Sequence, residues 1–249
     1  YETIAELDLP GLSEERRLVF VSGLAILIAL FEALEIDKMG LAGGALREGV
    51  LYSMIPEFHN HDIRKRTVDG LMSRYHVDQK QANRVAELAS HLAAQVSEQW
   101  PLFNNSGLPL LKAIAQLHEI GLLIEYKQYQ KHTAYILENT DMPGFSQSEH
   151  KIIAAVANAH RSDLQKNVFE YLGCHAQLTQ YVTRLLRIAV ILSMRRQDDV
   201  LPKLVLTVNN DALTLIFEND WLKAHPLMAS ELQQESKQQA KAGWKFIVK

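Results

Sequence analysis

Apolar residues recur every three or four positions along most of the chain between residues 63 and 194. This period is typical of amphipathic helices that bury one face. In one such segment, Ala82, Val85 and Ala89 fall on the same side of a helical projection. The spacing predicts six helices in this part of the chain, over residues 63–75, 79–100, 110–124, 132–138, 147–160 and 176–194.

Polar residues stand where several of these helices should begin. Asp62 and Asp78 each precede a helix, where a carboxylate can accept hydrogen bonds from the first N–H groups. Ser146 is followed three residues later by Glu149, which is the spacing of a capping box. These residues set the predicted helix starts.

Beyond residue 200 the apolar period becomes two, which is typical of strands. Residues 204–208 and 212–217 flank the turn-forming residues Asn209, Asn210 and Asp211 and predict a β-hairpin. The pattern then predicts a helix over residues 221–239 and a final strand over 244–248. We therefore expect a small α+β unit at the C-terminal end. This unit would contain the two hairpin strands, one helix and a final strand.

The first long helix is predicted over residues 14–34, with Ser13 as its N-cap. From Leu18 to Phe31 it carries no charge, but these 14 residues fall short of the roughly 20 needed to cross a bilayer. We expect this helix to be buried on most sides in a core.

A short apolar segment, a glycine pair and another helix follow. Residues 38–42 predict a buried strand, Gly43 and Gly44 a tight turn, and residues 45–55 a helix that ends before Pro56. A turn between a strand and a helix start directs backbone N–H groups toward an anion. The pattern predicts an α/β piece over residues 1–56 with an anion-binding turn.

Residues 43–52 read GGALREGVLY and resemble the signature of the exopolyphosphatase and guanosine pentaphosphate phosphohydrolase family. Further segments are similar to the same family in the same order. One departure is Gly43, which stands where the family usually has Asp. The similar segments are LPGLSEER at residues 9–16, GLAIL at 23–27, LHEIG at 117–121, HTAYIL at 132–137 and DMPGF at 141–145.

The resemblance implies a chain that is mainly α with small α+β parts. Residues 1–56 would be the end of an actin-like, sugar-kinase-like α/β domain. Residues 57–172 would form an HD-like helical domain, and residues 173–249 a C-terminal α+β domain. The phosphate loops and the catalytic carboxylate of the family would lie before Tyr1, so we expect this chain to be inactive alone.

The function implied first is that of an exopolyphosphatase, which processively releases orthophosphate from the end of inorganic polyphosphate with Mg²⁺ and an activated water. This segment would bind and position the polyanion and would itself bind no metal. Three alternatives remain open: a guanosine pentaphosphate 5′-phosphohydrolase, a non-catalytic module that binds polyphosphate or guanosine polyphosphate, and an HD-type metal phosphohydrolase.

Composition limits the partners and the compartment. The net charge of −3 gives no overall basic signal, so a polyanion must meet a local basic patch, and we expect no nucleic-acid partner. Cys174 is the only cysteine, which excludes an internal disulfide and favours a reducing cytoplasm. We expect no signal peptide and no transmembrane segment, leave a peripheral membrane association open, and expect a homodimer.

The candidate substrate-binding residues are mostly arginines, because a planar guanidinium binds two phosphate oxygens at once. The resemblance places Arg16 on a family arginine that contacts substrate phosphates. A basic run near residue 65 could line a channel for polyphosphate, but its pattern favours a solvated helix face. The full set is Arg16, Gly43, Gly44, Arg47, Arg64, Lys65, Arg66 and Arg161.

His118 and Glu119 resemble the His-Asp pair of HD metal phosphohydrolases, in which several helices supply metal ligands. Glu replaces Asp here, and Val190 stands where such enzymes usually have a late Asp ligand. Ser193 replaces a second acidic residue. We therefore expect a degenerate, metal-free pocket in which His118 holds helices together by hydrogen bonds.

Overall fold

The computed structural model describes residues 9–40, 63–100, 107–198, 200–218 and 220–249. Contacts divide the chain into two compact units, residues 1–43 and residues 44–249. The predicted glycine turn, the helix after it and the Asp62 cap lie outside the described residues.

The described part of the first unit is built on one helix, α1 (Glu14–Ala33), close to its predicted bounds. None of its residues is buried, and Leu18 and Ile26 expose 74% and 64% of their surfaces. The prediction that α1 is buried on most sides is therefore wrong for this unit. Residues 9–40 contain no second element that could cover its apolar surface.

The second unit is mostly helical, and all six helices predicted by the apolar period are present with shifted ends. The predicted helix 110–124 stops at residue 117 and gives way to a 3₁₀ helix at Ile120–Leu123. The α-helices are α2 (Ile63–Arg74), α3 (Gln79–Gln95), α4 (Gly107–Leu117), α5 (Tyr129–Asn139), α6 (Gln147–Ala159) and α7 (Ala176–Leu192).

Two of the predicted helix caps are confirmed. The Asp78 side chain accepts hydrogen bonds from the backbone N–H groups of Lys80 and Gln81 at the start of α3. Ser146 and Glu149 form the complete capping box at the start of α6. Each cap satisfies N–H groups that a helix leaves without an internal partner.

The predicted hairpin consists of β1 (Leu204–Asn209) and β2 (Ala212–Phe217), paired antiparallel. Two helices follow, α8 (Trp221–Ala224) and α9 (Pro226–Lys241). The last strand, β3 (Phe246–Val248), pairs parallel with β2, so the three-stranded sheet has the order β1-β2-β3. The helix between β2 and β3 is the crossover that a parallel pair requires.

One apolar core joins the helices of this unit to its sheet. Helix α7 packs against α3, α4, α6 and α9, and eleven of its 17 residues are buried. Trp100 and Tyr181 stack with ring centroids 4.1 Å apart within the same core. The boundary predicted at residues 172 and 173 stays a prediction, but the core extends across it.

Arg184 of α7 is fully buried and connects the helical part to the C-terminal strands. Its guanidinium donates to the Gln239 side chain at 2.9 Å and to the Lys245 carbonyl at 2.7 Å. It also pairs with the Asp211 carboxylate at 3.1 Å, in the hairpin turn. Burial lowers the pKa of Arg184 to about 10, so it stays charged at neutral pH.

Arg187, one turn further along α7, makes a second buried connection. Its guanidinium donates to both carboxylate oxygens of Glu235 in α9, at 2.8 and 2.7 Å. It also donates to the backbone carbonyls of Ala159 and Ser162 at the end of α6. Both charged side chains are almost completely buried, with 5% and 3% exposure.

No helix in the described ranges combines the length and the apolar character that a membrane crossing requires.

Replacing Arg187 with Met should lower the free energy of unfolding by about 3–5 kcal/mol, because Glu235 is left as a buried charge without its partner. The double variant Arg187→Met/Glu235→Leu should recover most of this loss, since it removes both charges. Urea denaturation measures all three proteins.

The matched control is Lys65→Met, which breaks an exposed ion pair with Asp69. It should change the free energy of unfolding by no more than about 0.5 kcal/mol. An Arg187→Met variant as stable as this control would contradict the structural role of the buried pair.

Candidate functional site

The degenerate HD-like pocket is formed by three buried side chains that come from three different helices. His118 follows the end of α4, Tyr129 begins α5, and His160 follows the end of α6. The imidazole rings meet edge to face with centroids 5.5 Å apart, and Tyr129 lies at the same distance from His160. The structure thus brings the imidazoles of His118 and His160 together.

The predicted hydrogen-bonding role of His118 is wrong in detail. Its Nδ1 donates to the Ala115 carbonyl at 2.7 Å, within the same stretch of chain, because the last carbonyls of a helix lack internal partners. The link between helices is instead made by Thr133, whose hydroxyl donates to the His118 carbonyl and accepts from the Gly121 N–H, both at 3.0 Å. His118 Nε2 has no hydrogen-bond partner in the described part of the chain.

Gly121 lets α5 approach this segment closely. A Cβ atom at this position would overlap the Tyr129 carbonyl oxygen and would lie 2.5 Å from the Thr133 nitrogen. Both atoms belong to the backbone, so a larger residue would force the helices apart. The glycine therefore permits the close approach of the N-terminal turn of α5, which carries Tyr129.

The Glu119 carboxylate is engaged by an arginine. Arg196, just beyond the end of α7, donates to Glu119 and also to Asp78 at 3.1 Å. Glu119 lies 3.9 Å from His118 Nε2, which is beyond hydrogen-bonding distance. The single carboxylate of the pocket is thus engaged in an ion pair with Arg196.

The pocket keeps its two imidazoles neutral. Burial lowers the pKa of His118, and the nearby Glu119 carboxylate opposes this only in part. Burial lowers the pKa of His160 well below its usual value, and the neighbouring His118 and the cations Arg187 and Arg161 lower it further. Both side chains are uncharged at neutral pH.

The residues of this pocket do not fit Mg²⁺. Mg²⁺ requires several oxygen ligands in near-octahedral geometry, whereas the pocket offers two imidazoles and one carboxylate that is paired with Arg196. Over residues 9–40, 63–100, 107–198, 200–218 and 220–249, no group of three or more His, Cys, Asp or Glu is placed to hold a metal ion.

Arg64 lies at a packing contact between α2 and the loop before α6. It donates to the Gly144 carbonyl at 2.8 Å and to the Glu149 carboxylate at 2.9 and 3.1 Å. Its guanidinium also lies 5.1 Å from the centre of the Phe145 ring. Arg64, a candidate phosphate ligand, is therefore already engaged in packing contacts within the fold.

The other candidate substrate-binding residues are distributed over the two units. Lys65 forms an ion pair with Asp69 one turn along α2, while Arg66 is exposed. Arg16 is exposed in the first turn of α1. Arg161 is exposed beside His160, over the Tyr129 ring. Gly43, Gly44 and Arg47 lie outside the described residues.

A pocket of about 440 Å³ adjoins the HD-like residues. It lies between the end of α6, helix α7 and helix α9, and His160 and Arg161 belong to its wall. Helix α9 also contributes Glu231, Gln234 and Gln238, which the sequence pattern did not indicate. A signal was available, because Glu235 and Gln239 interrupt the apolar face of α9 with buried polar side chains.

Lowering the pH from 7 to 5 should lower the free energy of unfolding through His118 and His160. Their folded-state pKa values are lowered, whereas in the unfolded chain they stay near about 6.5. Below that pH the unfolded state binds more protons, so the stability present at pH 7 is lost as the pH falls. Urea denaturation at pH 5, 6 and 7 measures the loss.

The double variant His118→Gln/His160→Gln should show a smaller loss over the same range. His91→Gln, at an exposed position on α3, is the matched control and should keep the original pH dependence. An unchanged pH dependence in the double variant would show that the buried imidazoles do not cause it.

Comparison with known proteins identifies relatives along the whole chain. A protein of Pseudoalteromonas translucida (strain TAC 125), named guanosine-5′-triphosphate,3′-diphosphate pyrophosphatase, is 75% identical over 248 residues, covering 100% of this chain and 50% of the relative. Proteins of the same name from Aeromonas hydrophila and Vibrio campbellii are each 45% identical, covering 96% and 98% of this chain and 48% and 49% of the relatives. The chain thus spans about half the length of these relatives.

Two family models match the chain in succession. The model of the Ppx/GppA phosphatase family matches residues 2–58, and that of Ppx/GppA phosphatase, domain III, matches residues 63–236. The first covers the exposed α1, and the second covers the helical core, the hairpin and most of α9. With more than half of its length in the second match alone, the chain belongs to the Ppx/GppA phosphatase family.

Proposed function

We propose that this chain is part of an enzyme that hydrolyses guanosine pentaphosphate, removing the terminal 5′-phosphate. The observation that carries the proposal is the 75% identity, along the whole chain, to a protein named guanosine-5′-triphosphate,3′-diphosphate pyrophosphatase. This function is one of the alternatives that the resemblance left open. Exopolyphosphatase activity, the function implied first, becomes the second candidate.

The contacts of the basic run on α2 also favour a nucleotide, and not a long polyphosphate, as the substrate. A linear polyanion is held by a row of cations that are available to its phosphates. Arg64 is bound to Glu149, and Lys65 is paired with Asp69. Two of the three side chains proposed to line a polyphosphate channel therefore already have carboxylate partners.

In the proposed reaction, water attacks the terminal phosphorus of the 5′-triphosphate and the bridging P–O bond breaks. The products are orthophosphate and guanosine 5′-diphosphate 3′-diphosphate. Following the resemblance, we assign the Mg²⁺ ion and the carboxylate that activates water to the part of the relatives' length that this chain does not span. The role proposed for this chain is to bind and position the substrate.

We further propose that α1 belongs to a larger actin-like α/β domain and that the helical part of the second unit is an HD-like domain without its metal. The uncovered apolar surface of α1 supports the first proposal, since such a helix is stable when another layer covers it. The buried imidazole pair beside Glu119 supports the second.

The substrate is tested by supplying guanosine pentaphosphate and inorganic polyphosphate, each with Mg²⁺, to the full-length protein and to this chain alone. We expect orthophosphate release from the nucleotide by the full-length protein, with a higher kcat/KM than for polyphosphate. The chain alone should release none. A preference for polyphosphate would favour the second candidate, and equal activity of the chain alone would refute the assignment of the chemistry elsewhere.

Arg16→Ala should lower kcat/KM of the full-length protein for guanosine pentaphosphate by about ten- to a hundredfold. A hydrogen bond to a charged group contributes about 1.5–3 kcal/mol, and the resemblance places Arg16 on a substrate phosphate. Lys38→Ala removes another exposed cation of the same unit and is the matched control. Equal effects of the two substitutions would show that Arg16 has no specific contact.

A further inference from the structure

The Arg196 guanidinium lies between two carboxylates beside the HD-like pocket. It donates to the Asp78 carboxylate at 3.1 Å and to the Glu119 carboxylate. Asp78 is the N-cap of α3, Glu119 lies just beyond the end of α4, and Arg196 lies just beyond the end of α7. One cation therefore links the ends of three helices.

The turn that carries Arg196 is held in a specific conformation. Arg196 has φ 52°, in the left-handed region that residues with long side chains rarely adopt. Its N–H donates to the Ser193 carbonyl at 3.0 Å, and the Gln81 side chain donates to the same oxygen at 3.0 Å. The Arg84 side chain binds the Asp198 carboxylate at 2.7 Å. A backbone of this kind persists where its surroundings determine it, and here α3 supplies the contacts.

His118 supplies a third group next to the two carboxylates. Its imidazole is buried, with 1% exposure, and its Nδ1 donates to the Ala115 carbonyl. In a neutral imidazole the other nitrogen is then an acceptor. This Nε2 atom lies 3.9 Å from a Glu119 carboxylate oxygen and has no hydrogen-bond partner among the described residues. An unprotonated imidazole nitrogen beside a carboxylate is a pair of the kind that binds metal ions.

Together the three groups have the composition of a divalent-cation site. Asp78 and Glu119 contribute anionic oxygens, and His118 contributes a neutral nitrogen. Two carboxylates balance the charge of a divalent cation. The groups come from different helices, as do the metal ligands of the HD enzymes that this region resembles. The cation that the structure places between the carboxylates is a guanidinium.

A guanidinium and a metal ion require different spacings of the same carboxylates. Carboxylate oxygens lie about 2.7–2.9 Å from guanidinium nitrogens, but only about 2.0–2.2 Å from a bound metal ion such as zinc. The larger guanidinium therefore holds Asp78 and Glu119 too far apart to bind one metal ion together. This spacing agrees with the absence, within the described ranges, of three side chains placed to hold a metal. The positive charge of Arg196 also repels a divalent cation.

We propose that Arg196 is a built-in cation that replaces the metal ion of the HD-like pocket. Its guanidinium neutralises Asp78 and Glu119, joins the three helix ends and keeps divalent cations out. Without this side chain, Asp78, Glu119 and His118 form a site for a divalent cation. The inference rests on the proposed HD-like origin of the helical domain and deepens it, since it names the group that took the place of the metal.

Mn²⁺ binding to Arg196→Ala tests the proposal, with electron paramagnetic resonance measuring the free Mn²⁺ during a titration. The variant should bind Mn²⁺ with a Kd at least about tenfold lower than that of the unaltered chain, because two carboxylates become available as ligands. Arg195→Ala removes the neighbouring exposed arginine and is the matched control, since it changes the net charge equally. It should bind Mn²⁺ no better than the unaltered chain. No gain in Arg196→Ala, or an equal gain in Arg195→Ala, would overturn the proposal.

A second substitution locates the bound ion. Arg196→Ala/Glu119→Gln keeps the size of the side chain at position 119 but removes its charge, and it should lose the gain in Mn²⁺ affinity. Arg196→Ala/Glu87→Gln removes an exposed carboxylate of α3 instead and should keep the gain. Equal Mn²⁺ affinities of these two double variants would place the ion elsewhere and overturn the proposal.

A loss of stability in Arg196→Ala does not prevent the test, because a ligand that binds only the folded state stabilises it. Mn²⁺ should raise the urea midpoint of Arg196→Ala and leave that of Arg195→Ala unchanged. If Arg196→Ala is unfolded without metal, Mn²⁺ should restore its helical circular dichroism. A stability of Arg196→Ala that does not respond to Mn²⁺ would contradict the proposed site.

The role of Arg196 and the proposed hydrolysis fail separately, because Mn²⁺ binding is measured without substrate. If the full-length protein prefers guanosine pentaphosphate while Arg196→Ala gains no Mn²⁺ site, the role of Arg196 is wrong and the proposed function stands. If Arg196→Ala gains the site while the full-length protein does not hydrolyse the nucleotide, the role of Arg196 stands and the proposed function is wrong.

Discussion

Two buried arginines on one face of α7 organise the second unit. Arg184 and Arg187 are three residues apart, so their side chains leave the helix on the same side. A buried guanidinium must find acceptors for its donors and compensation for its charge, and both take them from distant parts of the chain. Arg184 holds the hairpin turn and the approach to β3, and Arg187 holds α9 and the end of α6. Desolvation makes any alternative arrangement of these elements costly, and the small sheet is thereby joined to the helical core.

The same constraint shapes the candidate site. Pairing of Arg187 with Glu235 fixes the distance between α7 and α9, and the pocket lies in the space that this leaves beside His160. The neighbouring imidazoles are neutral, and the Glu119 carboxylate is paired with Arg196. A region that resembles a metal site in sequence is therefore nearly uncharged in its interior. Its described residues include no group of three or more side chains placed to hold a metal ion.

Local features of this fold could be predicted from the sequence, and long-range contacts could not. Helical periodicity and the capping box at Ser146 depend on residues a few positions apart, as does the hairpin around Asn210, and all three are present. The partner of Arg187 is 48 positions away, and that of Arg64 is 85 positions away. No local pattern distinguishes such a buried or packing arginine from a phosphate ligand. The exposure of α1 was missed for a related reason, because an apolar sequence shows that a helix can be buried but not what covers it.

The buried arginines should make the helical core and the C-terminal sheet one cooperative unit. Native-state hydrogen exchange tests it most directly, by comparing the backbone amides of α3 with those of β1 and β2 as denaturant is raised. We expect the slowest amides of both regions to exchange through an opening of the same free energy, and we expect Arg184→Met to lower this free energy equally in both. Exchange of the strands through a separate opening of much lower free energy, with α3 still protected, would contradict it.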